Sequence, residues 1–486
     1  MFSFLTRSWG LRNRILGMVI EVKFRREEDL LGTREIPAEA YYGIHTLRAA
    51  ENFSVSGQPV HPELIKALGL VKQAAAETNL TLKELEPTLG NAIAQAAAEV
   101  AEGRFADQFI VDALQGGAGT STNMNVNEVI ANRAIELLGG NKGDYSLVHP
   151  LNHVNMSQST NDVYPTALRL AAIRLLRHLA ESCATLQGAL QAKEAEFAGV
   201  LKVGRTEMQD AVPITLGQEF AAWAEAIARD RWRLYKVEER LRQVNLGGTA
   251  IGTGLNASRK YIYMVIERLR LLSGLGLARQ ENMIDGTQNA DVFVEVSGLL
   301  KANATSLIKI TADLRLLSSG PRAGLGEILL PDLQVGSSIM PGKVNPVLPE
   351  LVTQVGYQIM AQDLAITLAA QGGQLELNGF LPLIAANLLP AMHNLSKAML
   401  LLAERCISGI RAETAKCREY LDNSTGIITV ISPLLGYDVA AALAKEALAS
   451  RRSVRDTVLA AGLFTAEELD EIIRADKVTR PGRIRR

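Results

Sequence analysis

The 486-residue sequence predicts a mainly α protein organised around long helices. Three observations carry that expectation. Apolar residues recur at three- and four-residue spacing over long stretches. Runs of alternating β-branched or aromatic residues are few, so strands should be scarce and confined to short hairpins. The breaks between the helical stretches are polar strips, most of them rich in glycine or serine.

Taken in order, residues 1–24 hold Arg7, Arg12 and Arg14 against one acid, Glu21, and read as an extension ahead of the first organised segment. Such a composition resembles a transit peptide or an amphipathic surface segment, and Met18 offers an alternative start. Residues 25–159 are broken by Pro37, Pro59, Pro62 and Pro87 and read as a mixed, mostly helical domain. From Tyr164 the positions Leu168, Ala171, Leu175 and Leu179 open a long helix, followed by helical stretches over 216–244, 292–317, 347–368 and 384–407, the last with Pro390 inside it. At ~1.5 Å per residue the longest reach roughly 40 Å. Their apolar residues cover more than one side, which suits a bundle that packs against further copies of itself. Residues 160–415 form this central domain. Residues 416–486 read as a small helical domain, in which Thr465 and Glu468 have capping-box spacing.

Composition narrows the function. Lys and Arg number 51 and Asp and Glu 52, a net charge of −1, so the basic excess that nucleic-acid binding draws on is missing. No uninterrupted apolar run reaches membrane-spanning length. Cys183, Cys406 and Cys417 are too few and too scattered for a disulfide framework or a zinc site, which fits a reducing cytoplasm.

The chemistry lies in four strips. In residues 115–129, QGGAGTSTNMNVNEV, three glycines free the backbone and leave amides and hydroxyls exposed to hold an anion, with Thr122 and Asn123 as candidate helix caps. It has no Walker lysine and no G-x-G-x-x-G pattern. The second strip crowds Ser157, Ser159, Thr160, Asn161 and Asp162 ahead of a helix starting near Pro165, more short polar side chains than one cap uses. A helix start of this kind favours a carboxylate ligand. The third, residues 204–220, places Thr206, Glu207 and Gln209 before a helix capped by Thr215. The fourth, GSSIMPGKVNP at residues 336–346, sets Ser337 and Ser338 before a Pro-Gly turn and then supplies Lys343 and Asn345, a loop suited to closing over a small anion.

GSSIMPGKVNP resembles the signature of the fumarase and aspartase superfamily. The likeness runs from about Arg26 to Ala475 and includes EEDLLGTREIPAEAYYGIHTLRAAENF, QGGAGTSTNMN, SQSTND, VNLGGTAIGTGLN and DLRLLSSGPRAGL. It implies a three-domain fold whose central helices merge into a twenty-helix bundle in a homotetramer, and elimination from a succinate derivative to give fumarate. Thr160 in SQSTND, the opening EEDLLGTRE and AYYGIHTLR, and GQLELN at residues 373–378 are similar to the aspartase branch rather than the fumarase branch. That implies reversible release of ammonia from L-aspartate with no organic cofactor, and with Mg²⁺ activation left open.

The resemblance gives Ser337 the role of general base. It sets Thr120, Ser159, Thr160 and Ser338 around the β-carboxylate, Lys343, Asn345 and Thr206 on the α-carboxylate, and Asn161 with Thr120 at the ammonium group. Two positions depart from the pattern. Glu207 stands where many relatives have His and some have Gln; an ionised Glu only accepts hydrogen bonds and suits an ammonium better than a carboxylate. Leu151 replaces an Asn in HPLNHVN. Three alternatives remain: a class II fumarase, a lyase for argininosuccinate or adenylosuccinate, and a non-catalytic structural protein on the same fold. The match of SQSTND and GQLELN speaks against the second of them.

Overall fold

A computed structural model describes residues 23–482 and Ile484. Most of the extension read over residues 1–24 therefore lies outside the described residues. The chain divides into two compact units.

The first unit comprises the residues up to Arg174, Glu238–Val294 and Leu364–Pro390. It opens with a hairpin of strands Phe24–Asp29 and Gly32–Pro37, paired antiparallel with Arg25 opposite Ile36. The Arg25 guanidinium donates to the carbonyls of Pro37, Ala38, Ala40 and Tyr42, so one side chain holds the turn of chain that follows. That segment leads into helix Ile44–Asn52. The buried Glu128 carboxylate satisfies its start, accepting from the Gly43, His45 and Thr46 N–H groups and the Thr46 hydroxyl. A helix start needs such acceptors because its first N–H groups have no partner inside the helix. Helices Pro62–Thr81 and Pro87–Ala101 pack on each other, each with Pro at its first position and a capping side chain before it, His61 and Glu86 respectively.

The second unit comprises Leu175–Val237, Glu295–Asp363 and Ala391–Arg486. Its hairpin, Leu201–Thr206 with Gln209–Thr215, is pinned by a buried ionic group. Lys202 pairs with Glu219 at 2.6 Å and Glu327 at 3.0 Å, and Arg205 reaches Glu327 at 2.9 Å. The C-terminal helices share a core of Leu421, Ile427, Ile431, Leu443, Val458 and Leu469. Thr465 and Glu468 form the capping box read from their spacing.

Five long helices account for the expected apolar stretches: Thr160–Glu196, Leu216–Leu241, Asp291–Leu317, Val347–Gln371 and Leu381–Arg405. Pro390 lies inside the last. The first begins five residues before Pro165, so that proline sits in the second turn instead of marking the start. Short two-residue ladders also occur outside hairpins, among them the parallel pair Gln243–Val244 and Ala278–Arg279. Within the second unit, Trp232 and Tyr235 are 63% and 70% exposed and, with Ala180, Ala184 and Ala228, line a groove of about 630 Å³. Among the described residues no helix is long and apolar enough to cross a membrane.

Glu327 is wholly buried and neutralises two cations. Glu327→Leu should therefore cost roughly 3–5 kcal/mol, because it leaves Arg205 with no carboxylate and Lys202 with Glu219 alone. A clear fall in the thermal unfolding midpoint, with less soluble protein, is expected; an unchanged midpoint would refute the pinning role.

Candidate active site

Four of the sequence-predicted site residues, Thr120, Ser159, Thr160 and Asn161, belong to the first unit. Thr206, Glu207, Ser337, Ser338, Lys343 and Asn345 belong to the second.

In the first unit the structure joins the first two strips. Helix Thr120–Leu137 starts at Thr120 itself, two residues before the caps expected at Thr122 and Asn123. Gly119 precedes it at φ +93°, and a side chain there would strike the Tyr164 ring, so glycine is required by both conformation and space. Instead of capping, Thr122 donates to Gln115 Oε1, and Asn123 reaches across to Thr160 Oγ1 at 3.1 Å. The first and second strips thus meet at Thr160.

The second strip is fixed to the segment at residues 245–256 by Asp162 and by a proline. Asp162 is fully buried and accepts from the N–H groups of Ser159, Gly247 and Thr249 at 3.0, 3.0 and 2.9 Å. Pro165 has no N–H for the carbonyl four residues earlier, that of Asn161. The Asn161 carbonyl instead accepts from Asn245 Nδ2 at 3.1 Å, while Asn161 Nδ2 donates to the Ala250 carbonyl at 2.7 Å. Hydroxyls and amides are therefore oriented by bonds on their protein side.

Behind this face lies a buried group that sequence reasoning missed. Lys72 Nζ donates to Asn155 Oδ1 at 2.8 Å, and the same oxygen accepts from Asn123 and Asn127. Burial pushes the Lys72 ammonium down to about 7, against the pull of Asp162. Burial likewise raises the Asp162 carboxyl to about 6, against its backbone donors and Lys72. The available signal was a lone lysine inside the apolar run LGLVKQAAA.

In the second unit, Thr206 ends one hairpin strand and pairs with Gln209, leaving Glu207 and Met208 as a two-residue turn at φ +52° and +66°. Left-handed conformations at both turn positions suit Asn-Gly, so two side-chained residues here carry backbone strain of order 1 kcal/mol each. Both side chains are exposed.

The loop at 336–346 is closed at its base. Gly336 N–H donates to the Lys343 carbonyl at 2.8 Å and Asn345 Nδ2 donates to the Gly336 carbonyl at 2.8 Å. A side chain at Gly336 would lie within 2.7 Å of that Lys343 oxygen. Ser337 Oγ accepts from the Ile339 and Met340 N–H groups at 3.2 and 2.9 Å. Two backbone donors on one hydroxyl oxygen stabilise negative charge on it, which is what a serine alkoxide requires. Lys343 is exposed at the same loop. Among the described residues no cluster of three or more His, Cys, Asp or Glu gathers to hold a metal ion.

Residues 32–361 match the family described as Lyase, and residues 427–480 match that described as Fumarase C C-terminus. The chain belongs to the fumarase and aspartase superfamily of lyases. An aspartate ammonia-lyase of Bacillus sp is 50% identical over 458 residues, covering 94% of this chain and 98% of that protein. A solved fumarate lyase:delta crystallin of Brucella melitensis, bound to cobalt, is 50% identical with a TM-score of 0.90, covering 94% of this chain and 99% of its own. A class II fumarase of Schistosoma mansoni is 36% identical with a TM-score of 0.86, covering 93% and 98%.

Near the second strip of this lyase, the departure at Leu151 falls in a single π-helical turn, Pro150–Val154, with Leu151 exposed. His149 Nδ1 accepts from the Leu151 and Asn152 N–H groups, and His153 Nδ1 from that of His149, so both imidazoles serve as neutral acceptors. Burial holds both below the ordinary histidine value, with His45 adding to the effect on His149 and His149 to that on His153. The unfolded chain therefore binds more protons, and the contribution, complete above the unfolded value of about 6.5, is lost as pH falls below it. The thermal midpoint should drop between about pH 7.5 and 5.5, and drop less in His149→Asn, whose amide oxygen caps without titrating. Equal drops in the two proteins would remove His149 as the cause.

Proposed function

We propose that this lyase is an aspartate ammonia-lyase, reversibly converting L-aspartate to fumarate and ammonia. The observation that carries the reading is the 50% identity, over nearly the whole chain, to an aspartate ammonia-lyase, against 36% to a class II fumarase. The hydroxyl of Ser337, facing two backbone donors, supports its assignment as general base.

The Cβ proton passes to the Ser337 alkoxide and its electron pair spreads into the β-carboxylate as an enediolate. Collapse of the enediolate forms the C=C bond and breaks the C–N bond, and the ammonium group leaves as ammonia. The serine proton then returns through solvent to ammonia, which regenerates the alkoxide and balances the reaction. Fixed neutral donors suit this course because they act on charge that develops only in the transition state. In this reading Thr120, Ser159, Thr160 and Ser338 surround the β-carboxylate. Lys343, Asn345 and Thr206 hold the α-carboxylate, and Asn161 with Thr120 meets the ammonium group. Glu207, exposed on its strained turn, faces the ammonium.

The chemistry uses no organic cofactor, and Mg²⁺ has no assigned step. The three-part organisation, 25–159, 160–415 and 416–486, belongs to the same reading, as does a homotetramer in which each site collects its strips from three subunits. The apolar groove beside Trp232 and Tyr235 supports self-association, since so much exposed aromatic surface suits burial against another chain. A cytoplasmic setting goes with Cys183, Cys406 and Cys417, all buried free thiols.

Purified protein should release fumarate and ammonia from L-aspartate and form little fumarate from L-malate; the reverse preference would replace this reading with a fumarase. Ser337→Ala should lower turnover by orders of magnitude with fold and substrate binding retained, because it removes the base and little volume. Near-normal turnover would reassign the base. Glu207→Gln should stay within about tenfold of the parent, the worth of one polar contact. A loss beyond a thousandfold would give this carboxylate a direct part in the chemistry.

A further inference from the structure

Lys72 sits in helix Pro62–Thr81 with its side chain wholly buried, in a position whose neighbours are Val71, Ala74 and Ala75. A methionine would fill the same space without the several kcal/mol that burying an ammonium costs. What lysine supplies is direction. Charged or neutral, its nitrogen always keeps an N–H for Asn155 Oδ1, whereas an amide side chain can turn over and exchange its two ends.

The contacts of Lys72 form a chain of amides that ends at the Thr160 hydroxyl. Lys72 Nζ donates to Asn155 Oδ1 at 2.8 Å, which leaves Asn155 Nδ2 facing the Gln158 carbonyl at 3.3 Å. Asn155 Oδ1 also accepts from Asn123 Nδ2 and Asn127 Nδ2 at 3.3 and 3.2 Å. Asn123 Nδ2 continues to Thr160 Oγ1 at 3.1 Å, so the hydroxyl is an acceptor on its protein side and its proton is free for the other side. Turn all the amides over and the polarity reverses: Thr160 would donate inward to Asn123. Among the described residues the oxygens of Asn123 and Asn127 are buried without a partner, so those two amides have no other bond at that end to hold them in the observed sense.

We propose that Lys72 is a positioning residue that locks Asn155 and Asn123 in one orientation, and so keeps the Thr160 hydroxyl pointed as a donor toward the β-carboxylate of the substrate. This rests on the ammonia-lyase reading and on the place that reading gives Thr160. It predicts that the side chain at 72 acts through Thr160 and not through general packing. It also predicts that a side chain whose donor and acceptor ends can exchange by turning over fails where the lysine works.

The test is a double-mutant cycle on the assembled protein, read by calorimetric binding of succinate, a dicarboxylate that lacks the amino group and does not react. Lys72→Met and Lys72→Gln should each weaken succinate binding by about ten- to a hundredfold, the worth of a hydrogen bond to a charged group. In a Thr160→Val background the same changes should have almost no effect. Fumarate formation from aspartate should fall in the Lys72 variants as well. Lys72→Gln keeps bulk and polarity, so it carries the cycle if Lys72→Met does not fold. Equal losses with and without the Thr160 hydroxyl would overturn the relay, as would full binding by Lys72→Gln. An active wild type with such an additive cycle defeats this inference alone, whereas a wild type that makes no fumarate from aspartate defeats the ammonia-lyase reading and this inference with it.

Discussion

The buried carboxylate of Asp162 is the constraint on which the first unit's candidate site residues depend. It accepts from three backbone N–H groups, one in its own strip and two in the segment at residues 245–256. A carboxylate fully removed from water needs such partners, and backbone amides supply them without mobile side chains. Ser159 stands just before a 37-residue helix, and Thr160 and Asn161 lie in its first turn beside that anchor. Their placement is thus set by main chain at one end and by a rigid rod at the other. Pro165 contributes by what it lacks, since the missing N–H leaves the Asn161 carbonyl open to Asn245.

The second unit solves a similar problem with charge pairs. Glu327 binds Lys202 and Arg205 on one hairpin strand, and that strand ends at Thr206. Such a buried ionic group adds little net stability compared with an apolar core, yet it tolerates only one arrangement of its members. The serine loop relies on backbone instead. Gly336, closed against Lys343 and Asn345, brings the two N–H groups of Ile339 and Met340 onto Ser337 Oγ. In both units the side chains expected to do chemistry are held largely by main-chain groups.

The long helices were legible because their signal is periodic and extends over many residues, and Thr465 with Glu468 because a capping box is local. The helix starts were less so. Thr120 and Thr160 begin their helices where Gly119 meets the Tyr164 ring and Asp162 accepts from distant backbone, contacts that no local pattern encodes. Thr122 and Asn123 looked like caps because short polar residues before an apolar run usually are; the bonds to Gln115 and Thr160 that engage them are tertiary. The strips themselves were legible from composition and from the family resemblance. Lys72 and Asn155 were not, since their significance arises from a meeting of segments 83 residues apart.

The two-residue turn at Glu207 and Met208 has a consequence for how such a lyase can change. Every ladder bond of its hairpin lies below the turn, and the register is held by the pairs from Leu201 with Thr215 to Thr206 with Gln209. Neither turn side chain is buried, so a new residue at 207 meets no core and displaces no strand. Most positions around the site are entangled with two or three partners and can be altered only together with them. The hairpin tip is separable in that sense. Variation there can accumulate by single steps while the scaffold stays as it is, which makes the tip a natural place for divergence among lyases built on this fold.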